Sequence, residues 1–210
     1  EYDIDGIVQV PINEEIGVTY AKVLRTMLRQ DPDKILVGEI RDRETAATAV
    51  EASLTGHTVL STLHTNDAPS AVTRLIDIGV EPFMITATLE AVVAQRLVRR
   101  VCASCKLSFT PDDDLLRELG PDGDKLRGAT FYYGKGCEEC HHTGYRGRVG
   151  IYEVLMMNDA LRKIVLAGGS TSELRAAAVS AGMRTLRESG LEAITEGRTT
   201  VEEVLRETLA

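Results

Sequence analysis

The sequence predicts an α/β protein with a parallel sheet core, an inserted subdomain that carries four cysteines, and a helical C-terminal region. In residues 1–101, short β-branched segments alternate with helix-length segments, which is typical of a mostly parallel sheet. In residues 102–147, this periodicity gives way to Gly, Cys, Tyr and charged residues. Residues 148–210 return to apolar periodicity interrupted by glycines. We therefore expect three regions with these bounds.

The elements of the first region follow from local periodicity and from residues that end helices. Apolar residues from Val18 to Leu28 share one helical face, and Pro32 ends that helix because it bars its predecessor from the α region. Gly56 ends an Ala-rich helix, and Pro69 favours the start of another. The predicted strands are residues 7–10, 34–37 and 58–63. The predicted helices are residues 18–28, 43–53, 67–75 and 87–97.

The rest of the chain is predicted to return to the sheet once and then to be helical. Ser170 with Glu173 forms a Ser-x-x-Glu capping box, which marks the start of a helix. Thr200 with Glu203 repeats that spacing and predicts a second helix start. The expected strand is 149–155, and the expected short helices are 112–119 and 161–166.

Composition and charge exclude several classes of protein. With 210 residues, of which 43% are hydrophobic, the chain is long enough for one sizeable core. The net charge of -8 disfavours a dedicated nucleic-acid binder, which usually carries a basic surface. No apolar run reaches the roughly 18 residues of a membrane-spanning helix, and the first residues do not resemble a signal peptide. Because the chain starts without Met and in mid-pattern, we expect it to be part of a longer protein.

The four cysteines form two Cys-x-x-Cys pairs, Cys102 with Cys105 and Cys137 with Cys140. This spacing lets both thiolates of each pair reach one tetrahedral Zn²⁺. Four thiolates close the coordination shell, so the pattern predicts structural zinc and not a catalytic metal. Two disulfides are one alternative, which the lack of a secretion signal disfavours. A dithiol redox centre is the other, but such a centre would need only one pair.

Other side chains flank the cysteines and bear on the same prediction. His141 and His142 follow Cys140 directly, and either could replace a ligand, although two exposed histidines are the simpler interpretation. Four basic residues nearby could offset the negative charge of a tetrathiolate zinc site. They are Arg99, Arg100, Lys106 and Lys135.

Two predicted strands end in side chains suited to phosphate chemistry. Residues 38–42 (Gly-Glu-Ile-Arg-Asp) follow one strand, and residues 64–66 (His-Thr-Asn) follow the next, which His57 precedes. Parallel sheets collect ligands and catalytic groups outside the carboxyl ends of their strands. We therefore expect Glu39 and His64 to lie near the same edge. The alternative is that residues 38–42 are an ordinary charged, solvated strand end with no catalytic role.

Several motifs together resemble the secretion ATPase superfamily that drives type II secretion and type IV pili. Residues 28–42 (LRQDPDKILVGEIRD) resemble the signature of that family, and residues 55–66 resemble its His box. Residues 94–97 (Ala-Gln-Arg-Leu), followed by the paired Cys-x-x-Cys motifs, resemble its tetracysteine zinc module. The tail over 182–186 and 199–205 also matches. The resemblance covers essentially the whole chain.

The resemblance implies a hexameric, RecA-like ATPase that uses ATP and Mg²⁺ and contains structural Zn²⁺. Glu39 matches the Walker B glutamate, which would polarise the attacking water as general base. His64 matches the His-box residue expected near the γ-phosphate, and His57 matches a supporting position. Arg41 either positions Glu39 or reaches across a subunit interface. Because Gly38 stands where the usual Walker B motif has Asp, we expect magnesium to be held mainly through water.

The phosphate-binding loop of such ATPases has no counterpart in this sequence. A P-loop requires Gly-x-x-x-x-Gly-Lys-Ser/Thr, and residues 134–136 (Gly-Lys-Gly) lack both the first Gly and the hydroxyl residue. The family carries this loop upstream of an acidic box, whose last residues Glu1-Tyr2 match. We therefore expect the chain to begin after the P-loop, and by itself neither to bind ATP tightly nor to hydrolyse it.

The predicted function is that of an ATP-hydrolysing motor for type II secretion or type IV pilus assembly. The zinc module favours these systems over pilus retraction ATPases, which resemble the core but lack the insertion. The implied partners are five further copies in a homo-hexamer and inner-membrane platform proteins, at a cytoplasmic location peripheral to that membrane. One alternative is a zinc-ribbon interaction module without enzymatic activity. A nucleic-acid-binding zinc protein is another, which the net charge of -8 disfavours.

Overall fold

The computed structural model of the chain describes residues 4–208. Within that range the chain folds into two compact units that are interleaved along the sequence. The first unit contains the chain up to Thr65, residues 69–90 and residues 157–174. The second contains residues 66–68, residues 91–156 and the chain from Arg175 onward. The predicted three-region division remains a prediction, and the Glu1-Tyr2 motif match lies outside the described residues.

The helices and strands of the described residues alternate in the first half of the chain and are mostly helical after the last strand. The strands are β1 Lys34–Val37, β2 Thr58–Ser61, β3 Ala91–Val101, β4 Lys106–Phe109, β5 Phe131–Gly134 and β6 Tyr145–Met156. The helices are α1 Tyr20–Met27, α2 Arg43–Leu54, α3 Ala68–Ile78, α4 Pro82–Thr88, α5 Asp113–Glu118, α6 Asp159–Leu166, α7 Thr171–Ser180, α8 Leu186–Thr195 and α9 Val201–Thr208.

The first unit contains the parallel strand pair that the sequence predicts. β1 pairs with β2 from Lys34 opposite Thr58 to Val37 opposite Ser61. Alternation along β1 buries Ile35 and Val37, which pack with Leu24 of α1 and Ala49 of α2. Helices packed on a parallel strand pair confirm the predicted α/β fold class. The pair also brings the carboxyl ends of β1 and β2 to one edge, which is where ligands collect in such sheets.

The second unit is built on antiparallel pairs. β3 pairs with β6 from Ala91 opposite Met156 to Val101 opposite Tyr145, and β4 pairs with β5. The described residues of its core include two apolar clusters. One contains Val98, Ile151, Leu186 and Ala193, and the other contains Leu116, Leu119, Phe131, Leu191, Ile194, Val201 and Val204.

Two predicted elements are wrong. The helix predicted over 87–97 is instead the end of α4 and most of strand β3. Its alanines and leucine suggest a helix, but inward residues such as Val98 alternate with exposed ones such as Val93, and pairing with β6 makes the segment a strand. Residues 7–10 form no regular element, although their apolar residues alternate. The prediction of a mostly parallel sheet holds only for β1 and β2 among the described strands.

The two predicted capping boxes have different outcomes. Ser170 and Glu173 exchange side-chain and backbone hydrogen bonds, which confirms the first box. The carboxylate of Glu203 accepts instead from the backbone N–H and guanidinium of Arg99, so the second box is wrong although α9 does begin after Thr200. Within residues 4–208, no helix is long and apolar enough to cross a membrane.

Candidate functional site

The structure brings Glu39, Arg41 and His64 together at the carboxyl ends of β1 and β2. Glu39 Oε2 lies 2.6 Å from Arg41 Nε and 3.1 Å from His64 Nε2. The Glu39 side chain is 17% exposed, whereas those of Arg41 and His64 are 70% and 81% exposed. A largely buried carboxylate therefore faces a rim of two exposed nitrogen donors.

Hydrogen bonds beyond the paired strands hold the two strand exits side by side. Thr62 Oγ1 donates to the carbonyl oxygen of Gly38 at 2.7 Å, and Ile40 N–H donates to the carbonyl oxygen of Thr62 at 3.1 Å. Glu39 lies between these two contacts, and His64 follows Thr62 by two residues. The backbone thus fixes the register in which the carboxylate meets the imidazole.

The electrostatics of Glu39 favour the ionised form. Burial by itself would raise the pKa of its carboxyl, but the hydrogen bonds from Arg41 and His64 and their charges outweigh that effect and lower it. The carboxylate therefore stays charged at neutral pH. A charged carboxylate with donors on one oxygen can orient and polarise a water molecule.

Gly38 and Asp42, on either side of the Glu39–Arg41 pair, have structural tasks. A β-carbon at Gly38 would lie 2.7 Å from the hydroxyl oxygen of Tyr20 and 3.3 Å from two of its ring carbons, so a larger residue there would displace the Tyr20 side chain. Asp42 caps α2, because its carboxylate accepts from both the N–H and the hydroxyl of Thr45 at 2.8 Å. The Asp-x-x-Thr spacing at the start of an Ala-rich helix could have predicted this cap.

The structure does not bring His57 to this group. His57 precedes β2, at the opposite end of the strand from His64. Its Nδ1 lies 3.0 Å from the carbonyl oxygen of Ala52 and 3.1 Å from the hydroxyl of Thr55. The ring therefore donates to the Ala52 carbonyl at the end of α2, which also accepts from the backbone N–H groups of Thr55 and His57.

The four cysteines form a separate cluster in the second unit. Their Sγ atoms all lie within 4.8 Å of one another, and three of the separations are 3.8–3.9 Å. Zn–S bonds of about 2.3 Å in a tetrahedron give S···S edges of roughly 3.8 Å. The cluster of Cys102, Cys105, Cys137 and Cys140 therefore has the size that one tetrahedral cation requires.

Backbone N–H groups around the cluster stabilise thiolates. Cys140 Sγ accepts from the N–H groups of Cys137 and Gly144, which lower its pKa to about 6 against the opposing effect of burial. Burial raises the pKa of Cys105 to about 12, although Gly136 N–H donates to its sulfur. A bound cation would favour the thiolate form at each cysteine.

Glycines allow the close approach of backbone segments around the cysteine cluster. A β-carbon at Gly134 would lie 2.0 Å from the carbonyl oxygen of Gly144, so no side chain fits there. His141 and His142 are exposed, and the described cluster contains only the four sulfurs.

Two of the basic residues predicted to offset the charge of the cysteines bind other groups. Arg99 forms an ion pair with Glu203, and Lys106 lies over the ring of Tyr132.

The structure combines an α/β fold, a carboxylate and an imidazole at the strand ends, and a cluster of four cysteines. These are the features expected of the secretion ATPase class that the sequence motifs resemble. The chain belongs to the family described as type II/IV secretion system protein, whose profile matches residues 1–206. This membership confirms the resemblance seen in the sequence.

Individual relatives and structures agree with this assignment. The chain is 53% identical over 209 residues to the type IV pilus assembly ATPase PilB of Thermus thermophilus, covering 100% of this chain and 24% of that protein. It is 47% identical over 210 residues to the type II secretion system ATPase E of Vibrio cholerae, covering 99% and 41%. The crystal structure of the pilus retraction motor PilT with bound ADP has a TM-score of 0.63 at 26% identity, covering 91% of this chain and 44% of that one. The chain thus spans between 24% and 41% of the length of these two relatives.

Proposed function

We propose that this chain is part of an ATP-hydrolysing motor that powers type II secretion or type IV pilus assembly. The observation that carries the proposal is the placement of Glu39 at the end of β1, with Arg41 Nε and His64 Nε2 both on its Oε2. The family membership and the names of the relatives, all secretion or pilus ATPases, support the reaction class.

Glu39 acts as the carboxylate that orients and polarises the attacking water. Its lowered pKa keeps it charged at neutral pH, so it accepts a hydrogen bond from water without first losing a proton. His64 donates toward the γ-phosphate, and its 81% exposure leaves it accessible to a nucleotide. Arg41 neutralises part of the negative charge beside Glu39. Phosphoryl transfer depends mainly on such positioning and electrostatics.

In this proposal, ATP and Mg²⁺ bind beside Glu39, Arg41 and His64. When bound, the metal neutralises charge that develops on the phosphate oxygens. Gly38 supplies no side-chain ligand, so Glu39 would reach the metal through its water shell. The motifs of this sequence include no backbone cradle for the phosphates, so in this proposal another part of the motor supplies it.

The tetracysteine cluster holds structural Zn²⁺ in this proposal. Its sulfur spacing and its N–H···S hydrogen bonds fit a tetrahedral cation. Four protein ligands leave no open position for substrate, so the metal stabilises the fold of residues 102–147 and takes no part in hydrolysis.

The partners follow from the family. We expect a homo-hexamer bound to inner-membrane platform proteins of the secretion or pilus machine, at the cytoplasmic side of that membrane. The net charge of -8 argues against nucleic acid as a partner.

The experiment is steady-state ATP turnover by the full-length protein with Glu39→Gln. We expect kcat to fall by about 10²- to 10⁴-fold, because the amide keeps the shape but cannot activate water. Glu51→Gln is the matched control, since Glu51 is an exposed carboxylate on α2, and its kcat should be unchanged. Unchanged turnover in Glu39→Gln would favour the alternative, a zinc-binding interaction module without enzymatic activity.

A further inference from the structure

The pairing of β1 with β2 becomes irregular at Glu39. Thr58 N–H donates to the carbonyl oxygen of the residue before β1, and in a parallel ladder every second residue bonds in the same way, so Thr62 belongs to this set. The register of the two strands, if continued, places Thr62 opposite Gly38, and its carbonyl oxygen would accept from the N–H of Glu39. It accepts instead from the N–H of Ile40 at 3.1 Å. Glu39 is therefore one extra residue on its side of the ladder, as in a β-bulge.

This irregularity accounts for the direction of the Glu39 side chain. Regular alternation would place that side chain on the face of Ile35 and Val37, which packs against α1 and α2. The Glu39 carboxylate instead contacts Arg41 and His64, whose side chains are 70% and 81% exposed. An extra residue in a strand bends the strand and re-aims a side chain in this way.

Thr62 holds the residues on both sides of Glu39. Its hydroxyl donates to the carbonyl oxygen of Gly38 at 2.7 Å, and its own carbonyl oxygen accepts from the N–H of Ile40. Neither bond involves the Glu39 side chain, so Thr62 acts on the backbone that carries it. One of the two bonds needs a hydroxyl on the β-carbon, which only Thr and Ser provide. All of these residues belong to the first unit.

We propose that Thr62 is a positioning residue for Glu39 in ATP hydrolysis. Its hydroxyl keeps the ladder irregular at Glu39 and so fixes the direction from which the carboxylate meets the attacking water. This inference rests on the proposed function of Glu39. It adds that the identity of residue 62 controls the rate of the chemical step through the backbone.

The test compares ATP turnover by the full-length protein with Thr62→Val and with Thr62→Ser. Valine has nearly the shape of threonine, so Thr62→Val removes the bond to Gly38 and keeps the backbone bond to Ile40. We expect kcat to fall about tenfold, because a small misplacement of a catalytic group slows the chemical step strongly. The KM for ATP should change by less than about twofold. Thr62→Ser keeps the donor and should recover most of the lost kcat.

A double-mutant cycle with Glu39→Gln determines whether Thr62 acts through Glu39. Single-turnover rates are measured, because Glu39→Gln is itself slow. In the Glu39→Gln background, Thr62→Val should cause no further loss, since the carboxylate that it positions is gone.

Controls separate positioning from folding. Thr58→Val removes the hydroxyl of an exposed threonine at the other end of β2 and should leave kcat unchanged. The thermal unfolding midpoint of every variant is measured alongside its turnover. If Thr62→Val is not folded at the assay temperature, Thr62→Ala replaces it in the same cycle, because it removes the same donor with a smaller side chain.

The possible outcomes distinguish this inference from the proposed function. No loss of kcat in Thr62→Val, equal losses in both backgrounds, or a Thr62→Ser variant as slow as Thr62→Val would overturn the positioning role and leave the proposed function intact. Unchanged turnover in Glu39→Gln alone would overturn the proposed role of Glu39, and the role of Thr62 with it.

Discussion

At the scale of single residues, the proposed chemistry depends on how closely Glu39 is surrounded. Its carboxylate takes hydrogen bonds from a residue two positions along its own strand exit and from the exit of the neighbouring strand. Gly38, directly before it, packs against the Tyr20 side chain, which an added methyl group would displace. The backbone that carries the carboxylate is therefore fixed by packing as well as by hydrogen bonds.

Gly38→Ala should destabilise the chain, because the new methyl would meet the Tyr20 hydroxyl at 2.7 Å. We expect the free energy of unfolding to fall by about 1–3 kcal/mol, as overpacking usually costs. Adding Tyr20→Phe should recover part of the loss, since it removes the nearest atom and leaves ring carbons at 3.3 Å. Chemical denaturation of the variants measures this, and an Ala variant as stable as the parent would contradict the packing account.

Glu203→Gln should lower stability at neutral pH and lose that effect in acid. The Glu203 side chain is fully buried, and burial alone would raise its pKa, but Arg99 and Arg206 outweigh this and lower it. A carboxyl with a lowered folded-state pKa stabilises the protein above its unfolded pKa of about 4.3 and loses that contribution as the pH falls through its folded value. We expect a loss of about 1–3 kcal/mol at pH 7, toward the lower end because both guanidinium groups are half exposed.

Denaturation at a series of pH values tests the Glu203 prediction. The difference in unfolding free energy between the parent and Glu203→Gln should shrink steadily below about pH 4.3. A difference that is independent of pH would mean that shape, and not charge, makes Glu203 stabilising.

The sequence predicts some site residues well and others poorly, for a physical reason. Glu39 and His64 could be paired because parallel strands bring their carboxyl ends to one edge. The contact of His57 with the Ala52 carbonyl depends on the exact end of α2. The partner of Glu203 lies 104 residues away, at Arg99, so no local pattern reports it.

At the scale of elements, β3 shows how a distant partner decides between helix and strand. Residues 87–97 carry alanines and a leucine, which favour a helix in isolation. The backbone donors and acceptors of β3 pair instead with β6, and the paired residues are between 44 (Val101 with Tyr145) and 65 (Ala91 with Met156) positions apart in the chain. The returning strand over 149–155 was predicted correctly, but antiparallel pairing between it and 91–101 could not be inferred from either segment alone.

Cys140→Ser should prevent metal binding at the tetracysteine cluster and lower the stability of the second unit. We expect the parent to contain about one Zn²⁺ per chain and the variant to contain far less, because structural zinc needs all four ligands. Elemental analysis gives the metal content, and the thermal unfolding midpoint should fall with it. His142→Asn is the control. His142 is exposed and has a φ of 60°, which Asn tolerates, so the zinc content should not change.

At the scale of the whole molecule, each of the two units is built from several separate segments of the chain. The first unit holds the Glu39–His64 pair, and the second holds the four cysteines. The relatives are 24% to 41% covered by this chain, so most of their length lies outside the matched region. The sequence contains no Gly-x-x-x-x-Gly-Lys-Ser/Thr string.

The isolated 210-residue chain should show no Mg²⁺-dependent ATP hydrolysis. Without a phosphate cradle, the Glu39 carboxylate has no oriented γ-phosphate beside it, and orientation supplies most of the catalysis in this reaction class. Phosphate release with purified chain, ATP and Mg²⁺ measures this. Turnover that disappears in Glu39→Gln would contradict the prediction, because it would show that these residues suffice.

The most direct test of the account asks which nucleotide the full-length protein retains when Glu39 is replaced by Gln. The variant is incubated with radiolabelled ATP and Mg²⁺, separated from free nucleotide, and its bound nucleotide is identified. If Glu39 serves the chemical step and not nucleotide binding, the variant should retain intact ATP, while the parent and Glu51→Gln should both retain mostly ADP. Bound ADP in Glu39→Gln at the level of the parent would contradict the central claim.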